Sequence, residues 1–123
     1  MYVLPMRAIG FSIVLLLVAC TEPGNPGAGV CKEVRMIGPT QPFSPSILTL
    51  KQGECVEFVN IDQGVHDAVS VAGTPANLRF ATRRLRAGER QKILFNLAGE
   101  VEYICTVDSH AQLGMRGTIR VQP

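Results

Sequence analysis

Residues 100–121 read EVEYICTVDSHAQLGMRGTIRV, and this stretch contains the pattern that decides the fold. Its two ends, EVEYICTV and RGTIRV, combine alternating apolar and polar positions with β-branched and aromatic side chains, as strands do. Five earlier runs have the same character: CKEVRMI (31–37), ILTL (47–50), CVEFVN (55–60), HDAVSV (66–71) and RQKILFN (90–96). Strand-like runs spaced roughly 8–12 residues apart predict an all-β sandwich or barrel.

The composition is that of a folded domain. Of the 123 residues, 46% are hydrophobic and 18% are charged, which is too apolar for a disordered chain. The net charge of +2 lacks the strong basic excess of a nucleic-acid-binding protein. We expect Phe58, Phe80, Phe95 and Tyr103 to fill the core between two sheets. The segment from Ala76 to Ala87 lacks clear alternation and predicts a helical turn or an irregular strand.

The opening stretch also carries the pattern C-x4-H-x4-M, formed by Cys105, His110 and Met115. The other histidine of the chain, His66, opens an earlier predicted strand. One thiolate and two imidazoles in a trigonal plane, with a weak axial thioether, are the donors of blue copper sites. A strand ending at Cys105, a loop with His110 and a strand after Met115 would bring three donors around one point. The sequence therefore predicts one copper ion per chain, cycling between Cu(I) and Cu(II).

Each of these residues also has an ordinary explanation. A lone histidine usually lies at the surface or in the core, a methionine usually packs in the core, and a free cysteine is often a small buried apolar residue. An unpaired thiol would oxidise in an exported protein, so this explanation suits Cys105 poorly. The joint spacing of all four residues favours the metal site.

The N-terminus has the pattern of an export signal. Arg7 is the only charged residue before Glu22, and residues 8–20 read AIGFSIVLLLVAC. This uncharged run is too short to span a bilayer, which needs ~20 residues. Leu17-Val18-Ala19-Cys20 resembles the lipobox of bacterial lipoproteins, in which the cysteine is acylated and becomes the first mature residue. The resemblance implies a lipid anchor on Cys20, and a plain secreted protein is the alternative.

Three regions follow from these patterns. Residues 1–19 are predicted to be a lipoprotein signal peptide, and residues 20–30 a lipidated tether. Residues 21–30 read TEPGNPGAGV, with glycine or proline at five of ten positions, and reach at most ~35 Å. Residues 31–123 are predicted to form one domain. We expect the protein to be exported and anchored in the bacterial cell envelope, on the periplasmic or outer-surface side.

Two segments resemble small cupredoxins. FSPSILTLKQGECVEFVNIDQGVHDAVSV (43–71) is similar to the middle of these proteins, and YICTVDSHAQLGMRGTIRV (103–121) to their C-terminal ligand loop. The spacing of cysteine and histidine resembles that of rusticyanin and auracyanin more than that of plastocyanin. The resemblance covers about residues 32–122. It implies a Greek-key β-sandwich of about eight strands, one copper ion and outer-sphere electron transfer, with His66, Cys105 and His110 as equatorial ligands and Met115 as the axial ligand.

The sequence departs from the family beside the ligands. Asp67 follows the first histidine, where the family often has an asparagine that ties the two ligand loops together. Asp67 can accept hydrogen bonds from a backbone N–H and from Thr106, but it cannot donate when ionised. An ionised Asp67 close to the metal should favour Cu(II) and lower the reduction potential. Asp108-Ser109 stands where related proteins commonly have a Pro-Gly turn.

Two cysteines remain after Cys20 is assigned to lipid and Cys105 to copper. Cys31 and Cys55 open the first and third predicted strands, which are parallel neighbours in cupredoxins. In an oxidising compartment, the resemblance implies a disulfide between them. A second metal site is the competing interpretation, although no histidine is left to complete it.

A cluster of six cations lies between Arg79 and Lys92: Arg79, Arg83, Arg84, Arg86, Arg90 and Lys92. Such a cluster is either an ordinary solvated face or a docking site for an acidic redox partner, which would raise association rates. Val65, Ala111 and Leu113 flank the predicted ligands and could form an apolar contact patch there.

The sequence predicts a membrane-tethered carrier of single electrons between redox proteins, acting as a monomer and not as an enzyme. A copper delivery or buffering protein is the alternative, but the clustered methionines and histidines typical of that class are absent after residue 19. A structural domain of the same fold is disfavoured because all four ligand positions are filled. One closed copper site would leave no coordination position for a substrate.

Overall fold

The computed structural model describes residues 29–123. The predicted signal peptide, Cys20 and the tether up to residue 28 lie outside the described residues. Seven strands and one 3-10 turn make up the described chain: β1 (Lys32–Met36), β2 (Ile47–Lys51), β3 (Cys55–Asn60), β4 (Val69–Ser70), the 3-10 turn (Ala76–Leu78), β5 (Arg90–Leu94), β6 (Gly99–Ile104) and β7 (Arg116–Gln122). None of the helical segments in this part of the chain has the length and apolar character needed to cross a membrane.

The strands form two sheets, in the orders β1-β3-β5 and β2-β7-β6-β4. The pairs β1/β3 and β2/β7 are parallel, and the other neighbours are antiparallel. This confirms the all-β sandwich, with seven strands among the described residues instead of about eight. The difference lies in residues 76–87, which contain the 3-10 turn and form no further strand. They pair with residues 66–70 through isolated bridges at Ala81 and Leu85 and through a few separate hydrogen bonds.

Aromatic rings fill the space between the sheets. Phe58 and Tyr103 are fully buried with ring centroids 5.6 Å apart, Phe95 is buried, and Phe80 is half-buried against the same core. Phe43 joins them at 4.7 Å from Tyr103, although it lies in a proline-rich segment outside the strands. The four predicted core aromatics are therefore in place, and the irregular segment before β2 adds a fifth.

A disulfide joins the starts of β1 and β3. Cys31 and Cys55 are bonded, with their Cα atoms 4.7 Å apart, which confirms the pairing that the family resemblance implies. We call this end of the sandwich, where β3 begins and β5 ends, the disulfide end. From there β3 runs six residues to Asn60, about 17 Å at the rise of a strand. The loops after β3 and β6 therefore lie at the opposite end.

Candidate metal centre

Three of the four predicted ligands converge at the end opposite the disulfide, which we call the metal end. The donor atoms of His66, Cys105 and His110 all lie within 4.8 Å of one another. The two Nδ1 atoms are 3.2 Å apart, and Cys105 Sγ lies 3.9 Å from His66 Nδ1 and 3.5 Å from His110 Nδ1. His66 and Cys105 are completely buried, whereas His110 is half-buried.

The geometry of this donor set fits a metal ion. A point equidistant from the three atoms lies about 2.1 Å from each, and bonds of metals to imidazole nitrogen and thiolate sulfur are about 2.0–2.3 Å long. Imidazole and thiolate together are the donors that copper prefers in blue copper sites. Size and chemistry therefore agree without any rearrangement of the side chains.

The loop after β6 brings His110 and Met115 back to Cys105. The backbone N–H of Cys105 donates to the carbonyl of Met115 at 3.1 Å, and the N–H of Met115 donates to the carbonyl of His110 at 3.0 Å. Gly114 has a φ of +110° and Asp108 a φ of +46°, values that suit glycine and tolerate aspartate at tight bends. Met115 is fully buried next to Cys105, where β7 is about to begin.

His66 is held by a segment far along the chain. Its backbone exchanges two hydrogen bonds with Leu85, of 3.0 Å and 2.7 Å. Two residues further on, Ala68 makes two hydrogen bonds with Thr82. Its carbonyl accepts from the Thr82 N–H, and its N–H donates to the Thr82 hydroxyl. The irregular segment 76–87 therefore positions the backbone of His66, the first predicted ligand. The sequence pattern of this segment did not predict that role.

Asp67 and Thr106 connect the two ligand-bearing loops. Asp67 is buried, and its carboxylate accepts one hydrogen bond from the Thr106 backbone N–H at 2.6 Å and a second from the Thr106 hydroxyl. Because each residue directly follows a predicted ligand, this double contact fixes His66 relative to Cys105. The aspartate acts only as an acceptor here, as its chemistry requires.

A second carboxylate, which the sequence analysis did not identify, touches the site. Asp62 Oδ2 lies 2.7 Å from His66 Nε2, the ring nitrogen that faces away from the donor cluster. The hydrogen bond with His66 holds the pKa of Asp62 below its ordinary value. Its position four residues before the histidine, in the turn Asp62-Gln63-Gly64, is the one signal by which it could have been found.

The protonation of Cys105 depends on a metal. Burial raises the pKa of the Cys105 thiol, so burial alone favours the neutral form. Only the thiolate is a metal ligand, and a cation beside the sulfur favours that form. Metal binding at this site should therefore release a proton to solvent.

The surface around the centre is apolar with a basic border. Ile61, Val65 and Leu113 are exposed large apolar residues in the loops at the metal end, whereas Ala111, also expected in this patch, is buried. Arg84 and Arg86 are exposed on either side of Leu85, the residue bonded to the His66 backbone.

The rest of the cation cluster is partly neutralised. Arg90 pairs with Glu57 at 2.6 Å, and Arg83 contacts Gln91 and Glu89. Four members of the cluster have no ion-pair partner within residues 29–123: Arg79, Arg84, Arg86 and Lys92. Of these, Arg84 and Arg86 flank Leu85, which bonds to the His66 backbone, so part of the unpaired positive charge lies close to the metal end.

Comparison with known proteins agrees with this centre. The family model of copper-binding proteins of the plastocyanin/azurin family matches residues 31–122. The copper-resistant cuproprotein CopI of Rubrivivax gelatinosus is 30% identical over an alignment 125 positions long, which covers 85% of this chain and 76% of that protein.

Two solved structures illustrate the likeness in fold. The copper-containing nitrite reductase of Thermus scotoductus SA-01 matches 76% of this chain with a TM-score of 0.66 and 35% identity, but this chain spans only 23% of that enzyme. Amicyanin in its reduced Cu(I) form matches 76% of this chain and 84% of its own length, with a TM-score of 0.63 and 22% identity.

Proposed function

The chain belongs to the copper-binding plastocyanin/azurin family, and from this premise we propose that it carries single electrons between redox proteins of the cell envelope. The observation that carries the proposal is the triangle of His66, Cys105 and His110 donors, whose atoms lie 3.2–3.9 Å apart. A donor set that is held in place by its surroundings needs little rearrangement when the metal changes its charge. Such a site suits rapid one-electron transfer.

Four residues would hold the copper. His66 and His110 would bind it through Nδ1, Cys105 would bind as a thiolate, and Met115 would offer a weak thioether donor. When bound, copper supplies the one-electron Cu(I)/Cu(II) couple. His66 and Cys105 are sealed from solvent, whereas His110 is half-buried and its carbonyl accepts a hydrogen bond from the N–H of the exposed Leu113. Among the three donors, the His110 ring would therefore be the route by which an electron enters and leaves.

The protein acts as a carrier and not as an enzyme. If His66, Cys105, His110 and Met115 all bound the metal, the site would leave no open position for a substrate, which catalytic metal centres require. Its partner would be another redox protein. Arg84 and Arg86, on either side of the residue that bonds to the His66 backbone, favour a partner with an acidic docking face, and the carrier meets it as a monomer.

Membrane attachment through Cys20 is consistent with the shape of the domain. The described chain begins at Gly29, next to the disulfide end. A lipid on Cys20 would attach the chain to the membrane at this end, so that the metal end, with its apolar and basic surface, lies at the end of the domain opposite the attachment. The proposal is therefore an electron carrier that is tethered at one end and exchanges electrons at the other.

Copper buffering or delivery is the second candidate function. It is supported by the 30% identity to a protein named for copper resistance. The two functions make opposite demands on the site, since a carrier must retain its copper in both oxidation states, whereas a buffer must release it.

Repeated redox cycling separates the two candidates. The copper-loaded full chain is reduced with ascorbate and reoxidised with ferricyanide ten times, with the Cu(I) chelator bathocuproine disulfonate present throughout. A carrier should lose and regain its colour in each cycle and keep one copper per chain. Transfer of most of the copper to the chelator within the first reduced interval would contradict electron transport and support buffering.

A further inference from the structure

Asp62 contacts His66 on the side opposite the donor cluster. Its Oδ2 atom lies 2.7 Å from Nε2, while Nδ1 of the same ring faces Cys105 and His110. The His66 imidazole is completely buried, and 27% of the Asp62 side chain is exposed to solvent. The ring is therefore held between a carboxylate and the metal position.

A hydrogen-bond network fixes the carboxylate itself. Asp62 Oδ2 accepts from the Gly64 N–H at 3.3 Å, and the Asp62 N–H donates to Asn60 Oδ1 at 2.9 Å. The buried Asn60 amide also donates to the carbonyls of Gly64 and Leu85, at 2.7 Å and 2.9 Å. Leu85 is the residue that holds the His66 backbone, so one network orients both the ligand and its carboxylate.

We propose that Asp62 is a positioning residue that sets the tautomer and orientation of His66 and stabilises Cu(II) relative to Cu(I) in the proposed copper site. A His66 ring that donates its Nε2 proton to Asp62 leaves the Nδ1 lone pair free for the metal. Carboxylate–imidazole–metal arrangements of this kind raise the basicity of the ligand and fix its ring. The fixed negative charge also favours the oxidation state of higher charge, which lowers the reduction potential.

The two histidines are unequal in this respect. Within residues 29–123, His110 Nε2 has no hydrogen-bond partner. The polar side-chain contacts of the His110 ring are made by Nδ1, with His66 and Cys105. His66 is buried and backed by a carboxylate, whereas His110 is half-buried and unsupported. Both histidines would bind the metal, but only the His66 ring would be held in a fixed orientation by a carboxylate.

Three substitutions at one position test the inference. Asp62→Asn retains the shape and an oxygen acceptor but removes the charge, so the copper colour should persist and the reduction potential should rise. Asp62→Ala removes both charge and acceptor, and Cu(II) affinity should fall about 10–100-fold. Asp62→Glu restores the charge on a longer arm, so its reduction potential should fall between those of Asp62→Asn and the wild type.

Asp108→Asn is the matched control. It removes the same charge from an exposed loop position two residues before His110, and asparagine tolerates the positive φ found there. The reduction potential is measured by redox titration, the Cu(II) affinity by competition with a chelator, and the fold by thermal unfolding of the metal-free proteins. The potential should change much less for Asp108→Asn than for Asp62→Asn.

The outcomes separate this inference from the proposed function. If the wild-type protein shows no reversible coloured copper site, the electron-carrier proposal fails and the role of Asp62 fails with it. If the wild type is coloured and reversible but Asp62→Asn and Asp62→Ala leave both potential and affinity unchanged, only the role of Asp62 is overturned. A loss of metal-free stability without a change in potential would reduce Asp62 to a residue that caps its own turn.

Discussion

The disulfide end and the metal end of the sandwich both join distant parts of the chain at a cysteine, but by different means. At the disulfide end, one covalent bond ties β1 to β3 directly. At the metal end, Cys105 remains a free thiol, and buried polar contacts of Asn60, Asp62 and Asp67 position the loops around it. One end is held by a single covalent bond between two side chains, and the other by several hydrogen bonds that together orient the loops.

This difference implies that the two ends can be altered independently. They are separated by the length of β3, about 17 Å, and substitutions more than about 7–10 Å apart usually have additive effects. Damage to the disulfide end should lower stability and leave the metal site intact. Damage to the metal end should remove function and leave much of the stability intact.

The largest expected effect is at Cys105. Cys105→Ser should abolish the colour of the copper protein, because a hydroxyl cannot supply the thiolate-to-copper charge transfer, while the metal-free fold persists. Met115→Leu should retain copper and colour and raise the potential, because the axial bond is weak and a less coordinated site disfavours Cu(II). Absorption spectra and redox titration measure both. Equal loss of colour in the two variants would contradict the axial assignment of Met115.

The reverse pattern is expected at the other end. Cys31→Ala combined with Cys55→Ala opens a loop with a sequence separation of 24 residues. In the chain-entropy model this costs roughly 3.5 kcal/mol, and Tm should fall by more than about 10 °C. The spectrum of the copper-loaded protein at low temperature should stay unchanged. An altered spectrum in the folded double variant would show that the two ends are coupled.

A smaller effect is expected at the basic border of the metal end. Arg84→Ser with Arg86→Ser should slow oxidation of the reduced protein by the ferricyanide anion about two- to fivefold at low salt, because the positive field that attracts the anion is weakened. The effect should vanish at about 1 M salt. Stopped-flow rates measure it, with Lys51→Ser at the disulfide end as the control. Equal slowing by the control would assign the effect to net charge.

Local patterns explain why most of the fold could be predicted. Runs of β-branched and aromatic residues, several of them alternating, placed β1, β2, β3, β5, β6 and β7 to within a few residues. The predicted strand 66–71 survives only as Val69–Ser70, since the part from His66 to Ala68 bonds to the irregular segment at Leu85 and Thr82 instead. Such pairing depends on tertiary contacts that periodicity does not encode.

The candidate metal centre also has parts that the sequence predicts and parts that it does not. The four predicted ligands could be singled out because their residue types are scarce and their spacing is distinctive: His66, Cys105, His110 and Met115. Asp62 could not, because one of ten acidic residues in an ordinary turn carries no signal until the loop is folded. Residue chemistry thus predicts the ligands, while their orientation follows from the loop geometry that only the structure supplies.

The smallest expected effect concerns Tyr103, which lies in the core between the two ends. Its hydroxyl is buried without a hydrogen-bond partner among residues 29–123, and burial raises the pKa of the phenol. Its ring packs over Gly117, where a Cβ would lie 2.4 Å from the hydroxyl oxygen. Tyr103→Phe removes an unsatisfied polar group and keeps the ring, so the free energy of unfolding should stay equal or rise by up to about 1 kcal/mol.

Urea unfolding of the metal-free protein measures this change, and the copper spectrum should be unaltered. Gly117→Ala is the matched opposite, because its methyl group must displace the same ring and overpacking of this kind costs about 1–3 kcal/mol. Destabilisation of 1 kcal/mol or more by Tyr103→Phe would mean that the hydroxyl has a partner after all. The residue would then belong to the polar support of the metal end, since it precedes Cys105 by two positions on the same strand face.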